Sequence, residues 1–185
     1  GESSEFEKFF LSWYKNKDNF NYPSVSNKVI LDKNLFNFKY TGYICELLPT
    51  ARVIHCVRNP MDNIFSLYSS NLLENNFSSS LEDSSKFLLH QKQMMDFYKN
   101  IYRDKIFTVN YEDVVLNSKK CILKLINWLG FDWSDDYLNH QKIKSTCTSA
   151  SFIQVRKSIY NSSVDQWKNY EKLLKPAAMI LKKQI

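Results

Sequence analysis

Arg52-Val53-Ile54-His55-Cys56-Val57-Arg58-Asn59-Pro60-Met61-Asp62-Asn63-Ile64-Phe65-Ser66 decides the fold. Its first half is apolar and β-branched, with Val53, Ile54 and Val57 leading up to Arg58. Asn59 is a good N-cap residue, and Pro60 suits the first helical position. The stretch therefore predicts a strand, a sharp turn and a helix. At such a junction free backbone N–H groups and the helix dipole favour an anion, and Arg58 adds a planar, permanently charged fork. Ser66, six residues into the helix, can turn a hydroxyl toward the same side. The chemistry is that of a phosphate site.

Working outward, Ser4-Glu5-Phe6-Glu7 reads as a capping box for an amphipathic helix that runs through Tyr14, followed by a polar loop over 16–27. Val29-Ile30-Leu31 predicts a short buried strand ending at Asp32-Lys33-Asn34, and 36–48 carries apolar residues at helical spacing up to Pro49. The strand 52–57 and the helix from Pro60 come next. A serine-rich loop at 78–80 precedes a long helical pattern over 81–102, and 106–109 is a third strand that runs into Tyr111-Glu112-Asp113. The segment 118–129 is an amphipathic helix closed by Gly130. A short helix from Asp132, an irregular stretch over 141–163 and helical segments within 164–184 complete the chain.

Short apolar strands alternating with helices define an α/β chain with a parallel sheet flanked by helices. In such sheets ligands collect at the carboxyl ends of strands, where Lys33, Arg58 and Tyr111 are all predicted to lie. At 185 residues, without repeats or a low-complexity linker, the chain reads as a single domain over 1–185. The net charge of +6 suits a polyanionic ligand but is too small and too dispersed to indicate a nucleic-acid surface. Four cysteines, Cys45, Cys56, Cys121 and Cys147, show no metal-ligand spacing, so no metal site is expected. Their unpaired pattern favours a reducing, cytoplasmic setting. No stretch approaches the length of a membrane span.

The spacing of Arg58, Pro60 and Ser66 resembles the 3′-phosphate-binding motif of sulfotransferases that use 3′-phosphoadenosine 5′-phosphosulfate (PAPS), in which a strand leads into Arg-x-Pro and a later serine. The resemblance extends through most of the chain and is closest to the tyrosylprotein-sulfotransferase-like branch and its bacterial relatives. Asp32-Lys33-Asn34 is similar to an Asp-Lys-x-Pro segment whose lysine sits beside the transferring sulfonate, although Leu35 follows where a proline is usual. Tyr111-Glu112-Asp113 is similar to a Tyr-Glu-Asp-Leu segment whose tyrosine contacts the 3′-phosphate end of the nucleotide. Glu112 and Asp113 themselves read as the start of the next turn rather than as chemistry. The stretch 149–156 resembles a loop over the cofactor, with Ser151 near the sulfonate and Arg156 at its end. The pattern continues through Ser162-Ser163-Val164-Asp165-Gln166-Trp167. Relatives place Lys or Arg before this tryptophan; here Gln166 stands there, leaving Lys168 or Arg156 as substitutes. Trp167 itself reads first as an anchor of the C-terminal helix in the core.

Members of the family carry an N-terminal phosphosulfate loop, Gly-x-Pro-Arg-Ser-Gly-Thr-Thr, which does not occur here, and follow it further on with Gly-Glu before a helix. Gly1-Glu2 matches that dipeptide, making Glu2 the general base the resemblance implies. The expected architecture is then a P-loop NTPase-like sulfotransferase fold, N-terminally incomplete and lacking its first central strand. The implied activity is transfer of a sulfonate from PAPS to an acceptor hydroxyl on a peptide tyrosine, a sugar, a lipid or a small molecule. Glu2 and Lys33 are its catalytic residues, Arg58, Ser66, Tyr111, Ser151 and Arg156 bind the nucleotide, and no metal takes part. A homodimer is compatible with this reading, and eukaryotic relatives of the branch work in the Golgi lumen. The alternative is a catalytically inactive binding or scaffold domain of the same architecture. A nucleotide-kinase reading has no Gly-x-x-x-x-Gly-Lys segment to support it.

Overall fold

A computed structural model describes residues 29–70, 76–139 and 162–182. Its helices are α1 (Thr41–Leu47, entered through a 3-10 turn at Asn37–Tyr40), α2 (Pro60–Ser70), α3 (Leu81–Ile101), α4 (Tyr111–Leu116), α5 (Ser118–Leu129) and α6 (Glu171–Lys182). Strands β1 (Val53–Val57) and β2 (Ile106–Asn110) are parallel neighbours in a two-stranded sheet, and the Val53 N–H donates to the Lys105 carbonyl at 2.8 Å just ahead of β2. The α/β class and nearly all of the expected helices are present. The helix expected over 4–14 lies outside the described residues.

One expectation fails. Val29 and Leu31, read as a buried strand, stand in irregular backbone with 73% and 80% of their surface exposed. A short apolar run signals burial but forms a strand only where a neighbour completes its hydrogen-bond ladder, and none does so here among the described residues.

The chain divides into two compact units, 1–53 with 93–106 and 54–92 with 107–185. In the first, Phe38, Thr41, Cys45, Met95 and Ile106 are buried. Gly42 lies against the Tyr98 ring: a Cβ there would sit 2.9 Å from Cε1, so α1 approaches the end of α3 closely because it lacks a side chain at that point. Thr41 Oγ1 bonds the Asn37 carbonyl at 3.3 Å and Met95 Sδ at 3.6 Å, the Tyr102 hydroxyl donates to Glu46, and Lys105 Nζ donates to the Cys45 carbonyl at 2.6 Å.

In the second unit α2 packs against α6. Met61 and Ile64 from α2 meet Leu174, Ala177 and Leu181 from α6, with Phe65, Leu88, Leu89 and Trp167 packed around them. The i, i+3 and i, i+3, i+7 spacings are those of single helix faces. Phe65 stacks on Tyr170 with ring centroids 4.3 Å apart. Trp167 therefore does anchor the C-terminal helix. The serine-rich loop folds into a 3-10 turn (Asn76–Ser79), where Phe77 stacks on Phe87 and Ser80 Oγ accepts the Asp83 N–H to start α3. Gly130, at φ 79°, closes α5, and the Phe131 N–H turns back to the Ile126 carbonyl. The short helix expected from Asp132 is a 3-10 turn (Asp135–Leu138), capped by Ser134.

Candidate functional site

The site is built where β1 meets α2, within the second unit. Asn59 caps α2 as its sequence predicts: Oδ1 accepts the N–H of Met61 at 2.9 Å and of Asp62 at 3.3 Å. Arg58, between the strand and the cap, lies with its guanidinium carbon 4.8 Å from the centroid of the Tyr111 ring, at the first residue of α4. One terminal N–H of the same guanidinium donates to the Ser163 carbonyl. Its Nε is buried without a hydrogen-bond acceptor, and no carboxylate pairs with the group among the described residues. A buried, charged donor left unmatched costs about 1–3 kcal/mol or more, so this guanidinium retains capacity for an anion.

The backbone N–H groups of the turn are less free than the sequence implied. The Asn59 N–H donates to Glu112 Oε1 at 2.7 Å. Glu112 starts α4 as expected, yet its carboxylate also supplies the anion that the α2 N-terminus favours. A phosphate at this junction falls to side chains, Arg58 first. Ser66 sits half-buried one turn beyond Asp62, on the same side of α2, and its hydroxyl makes no hydrogen bond among the described residues.

Asp62 is a residue that sequence reasoning missed. Fully buried, it accepts the N–H of Asp165 at 2.8 Å on Oδ2 and that of Trp167 at 2.9 Å on Oδ1. An aspartate in the first turn of a helix reads from sequence as a surface charge answering the helix dipole, and nothing local announces a partner 103 residues away. Lys168, one of the substitutes offered for the cation that Gln166 replaces, instead bonds Asp165 Oδ2 at 2.8 Å on the surface, and that bond holds its ammonium above the usual lysine range.

Of the residues assigned from sequence, Arg58, Tyr111 and Ser66 thus lie in one unit, with Arg58 and Tyr111 in direct contact. Lys33 belongs to the other unit and is exposed in irregular backbone, beside Asp32, which accepts from the Asn37 amide at 2.8 Å, and Asn34, which accepts the Phe36 N–H at 2.9 Å. Glu2, Ser151 and Arg156 lie outside the described residues. Among the described residues no helix is long and apolar enough to cross a membrane.

A family model described as the sulfotransferase family matches residues 4–135, more than half of the chain. The chain belongs to the sulfotransferase family. It is 33% identical over 156 residues to an uncharacterized protein of Aquifex aeolicus, covering 82% of this chain and 20% of that protein. It is 24% identical over 131 residues to the protein-tyrosine sulfotransferase of Drosophila melanogaster, covering 70% of this chain and 26% of that protein. The chain therefore spans about a fifth to a quarter of the length of these relatives. The sulfotransferase domain of the curacin biosynthetic pathway superposes with a TM-score of 0.64 at 15% identity, over 87% of this chain and 60% of that domain, a likeness of fold. The sulfotransferase fold expected from the Arg58–Ser66 spacing is thereby the fold of this chain.

Proposed function

We propose that the β1–α2 junction holds the 3′-phosphate of PAPS, in a protein that transfers sulfonate from PAPS to an acceptor hydroxyl. The observation that carries this reading is Arg58, whose guanidinium is fixed at the strand end by Tyr111 and Ser163 while its buried Nε has no acceptor among the described residues. Family membership and the name of the Drosophila relative support the transfer of sulfonate, and that name also favours a peptide tyrosine among hydroxyl acceptors.

Sulfonate transfer makes demands close to those of phosphoryl transfer: an attacking oxygen, the sulfur and a leaving phosphate must be aligned while charge shifts between them. In this proposal Arg58 grips the 3′-phosphate, the Ser66 hydroxyl adds a neutral donor, and Tyr111 keeps the guanidinium plane in place. Glu2 takes the proton from the acceptor hydroxyl, and Lys33 stabilises charge on the leaving oxygen. Ser151 and Arg156 are the residues this reading assigns to the sulfonate and the nucleotide.

The test is calorimetry of the chain with adenosine 3′,5′-bisphosphate and with adenosine 5′-monophosphate, which differ only in the 3′-phosphate. The bisphosphate should bind about tenfold or more tightly, the worth of charge-assisted hydrogen bonds to one phosphate, and Arg58→Lys should narrow the gap. Equal affinity for the two nucleotides in the parent chain would overturn the proposal.

A further inference from the structure

We infer that Asp62 is a positioning residue for the nucleotide site: its carboxylate clasps the backbone of residues 163–167 and so fixes the segment that orients Arg58. This role rests on the proposed reading of Arg58 as the phosphate-binding group. Three backbone groups of this short segment are held from the β1–α2 junction, the Ser163 carbonyl by Arg58 and the N–H groups of Asp165 and Trp167 by the two oxygens of Asp62.

The backbone reverses to make this possible. Asp165 takes φ 59°, a left-handed conformation unusual outside glycine, and that turn lets both N–H groups reach one carboxylate. A carboxylate wholly removed from water is costly to bury, and Asp62 has no ion-pair partner among the described residues. An apolar side chain there would pack without that cost, so what the carboxylate secures is the placement of the segment. Held at Trp167, the segment presents the Ser163 carbonyl to Arg58 and fixes the direction of its fork. Asp62 acts through that segment: its hydrogen bonds go to the Asp165 and Trp167 N–H groups, and that of the guanidinium goes to the Ser163 carbonyl.

The experiment uses the full chain and reads the affinity ratio for adenosine 3′,5′-bisphosphate over adenosine 5′-monophosphate by calorimetry. Asp62→Asn preserves shape but turns one acceptor oxygen into a donor facing an N–H. It should lower the ratio about tenfold, the usual consequence of losing one charge-assisted hydrogen bond. Amide hydrogen exchange over 163–167 should accelerate in the same variant. Met95→Ala, a core truncation in the other compact unit, should lower stability and leave the ratio unchanged. An unchanged ratio in Asp62→Asn, or an equal fall in Met95→Ala, overturns the role. If Asp62→Asn does not fold, Asp62→Glu decides: a ratio reduced severalfold supports the role and the parent ratio overturns it. A parent chain without preference for the bisphosphate sinks the nucleotide reading itself, whereas a parent preference that survives Asp62→Asn sinks only the role of Asp62.

Discussion

Arg58→Ala separates what this side chain does for the fold from what it does for a ligand. In the free protein the guanidinium contributes one hydrogen bond from a charged donor, about 1.5–3 kcal/mol, and a ring contact with Tyr111 of about 0.5–1 kcal/mol. Against these stands the unmatched burial of Nε, about 1–3 kcal/mol, so the substitution should cost only about 1 kcal/mol of stability. The ligand term is larger. At a bisphosphate concentration of about 100 Kd, the parent gains about 2.7 kcal/mol. Losing about 1.5–3 kcal/mol of phosphate contact weakens the variant's affinity about 10- to 150-fold. At the same concentration it then gains only about 0.3–1.4 kcal/mol. For a chain of this size each kcal/mol moves Tm by about 2–4 °C. Thermal melts with and without adenosine 3′,5′-bisphosphate should therefore show a shift of about 5–10 °C in the parent and about half of that or less in the variant. A variant stabilised by the nucleotide as much as the parent would refute the reasoning.

Other consequences follow from the packing. Leu174, fully buried between α2 and α6, should cost about 2–5 kcal/mol when truncated to alanine, measured by urea unfolding. Gly130→Ala places a side chain at φ 79° and should cost about 1–2 kcal/mol by the same measurement, although a Cβ there meets open space. Burial raises the Cys45 thiol above its ordinary value of 9.0. The unfolded chain then ionises first, so the contribution of Cys45 to stability is complete below that value and is lost as pH rises beyond it; the stability of the parent should fall more between about pH 8 and about pH 10 than that of Cys45→Ala.

The sequence was most legible where one local rule decides the outcome. Asn59 and Pro60 announced the start of α2, Gly130 the end of α5, and the apolar spacing of 118–129 its buried face, because caps and periodicity act within a turn or two. Trp167 was legible as a core anchor for the same reason. Contacts made across great sequence separation left no local mark. Neither the buried Asp62 nor the Glu112 carboxylate on the Asn59 N–H differs in pattern from an ordinary first-turn acid, and each is defined by a partner more than fifty residues away. Val29 and Leu31 mislead in the opposite direction, since β-branched and apolar character describes a strand whose ladder partner the local sequence does not supply.

Phosphate binding at the β1–α2 junction turns on one nitrogen, the buried Nε of Arg58, which arginine side-chain NMR observes directly. With 15N-labelled protein, the Arg58 Nε–H resonance, assigned by its loss in Arg58→Lys, should move strongly downfield as adenosine 3′,5′-bisphosphate is added and should stay in place with adenosine 5′-monophosphate, as a phosphate oxygen becomes its acceptor. An Arg58 signal that ignores the bisphosphate at saturation, while binding is registered elsewhere in the spectrum, would contradict the account.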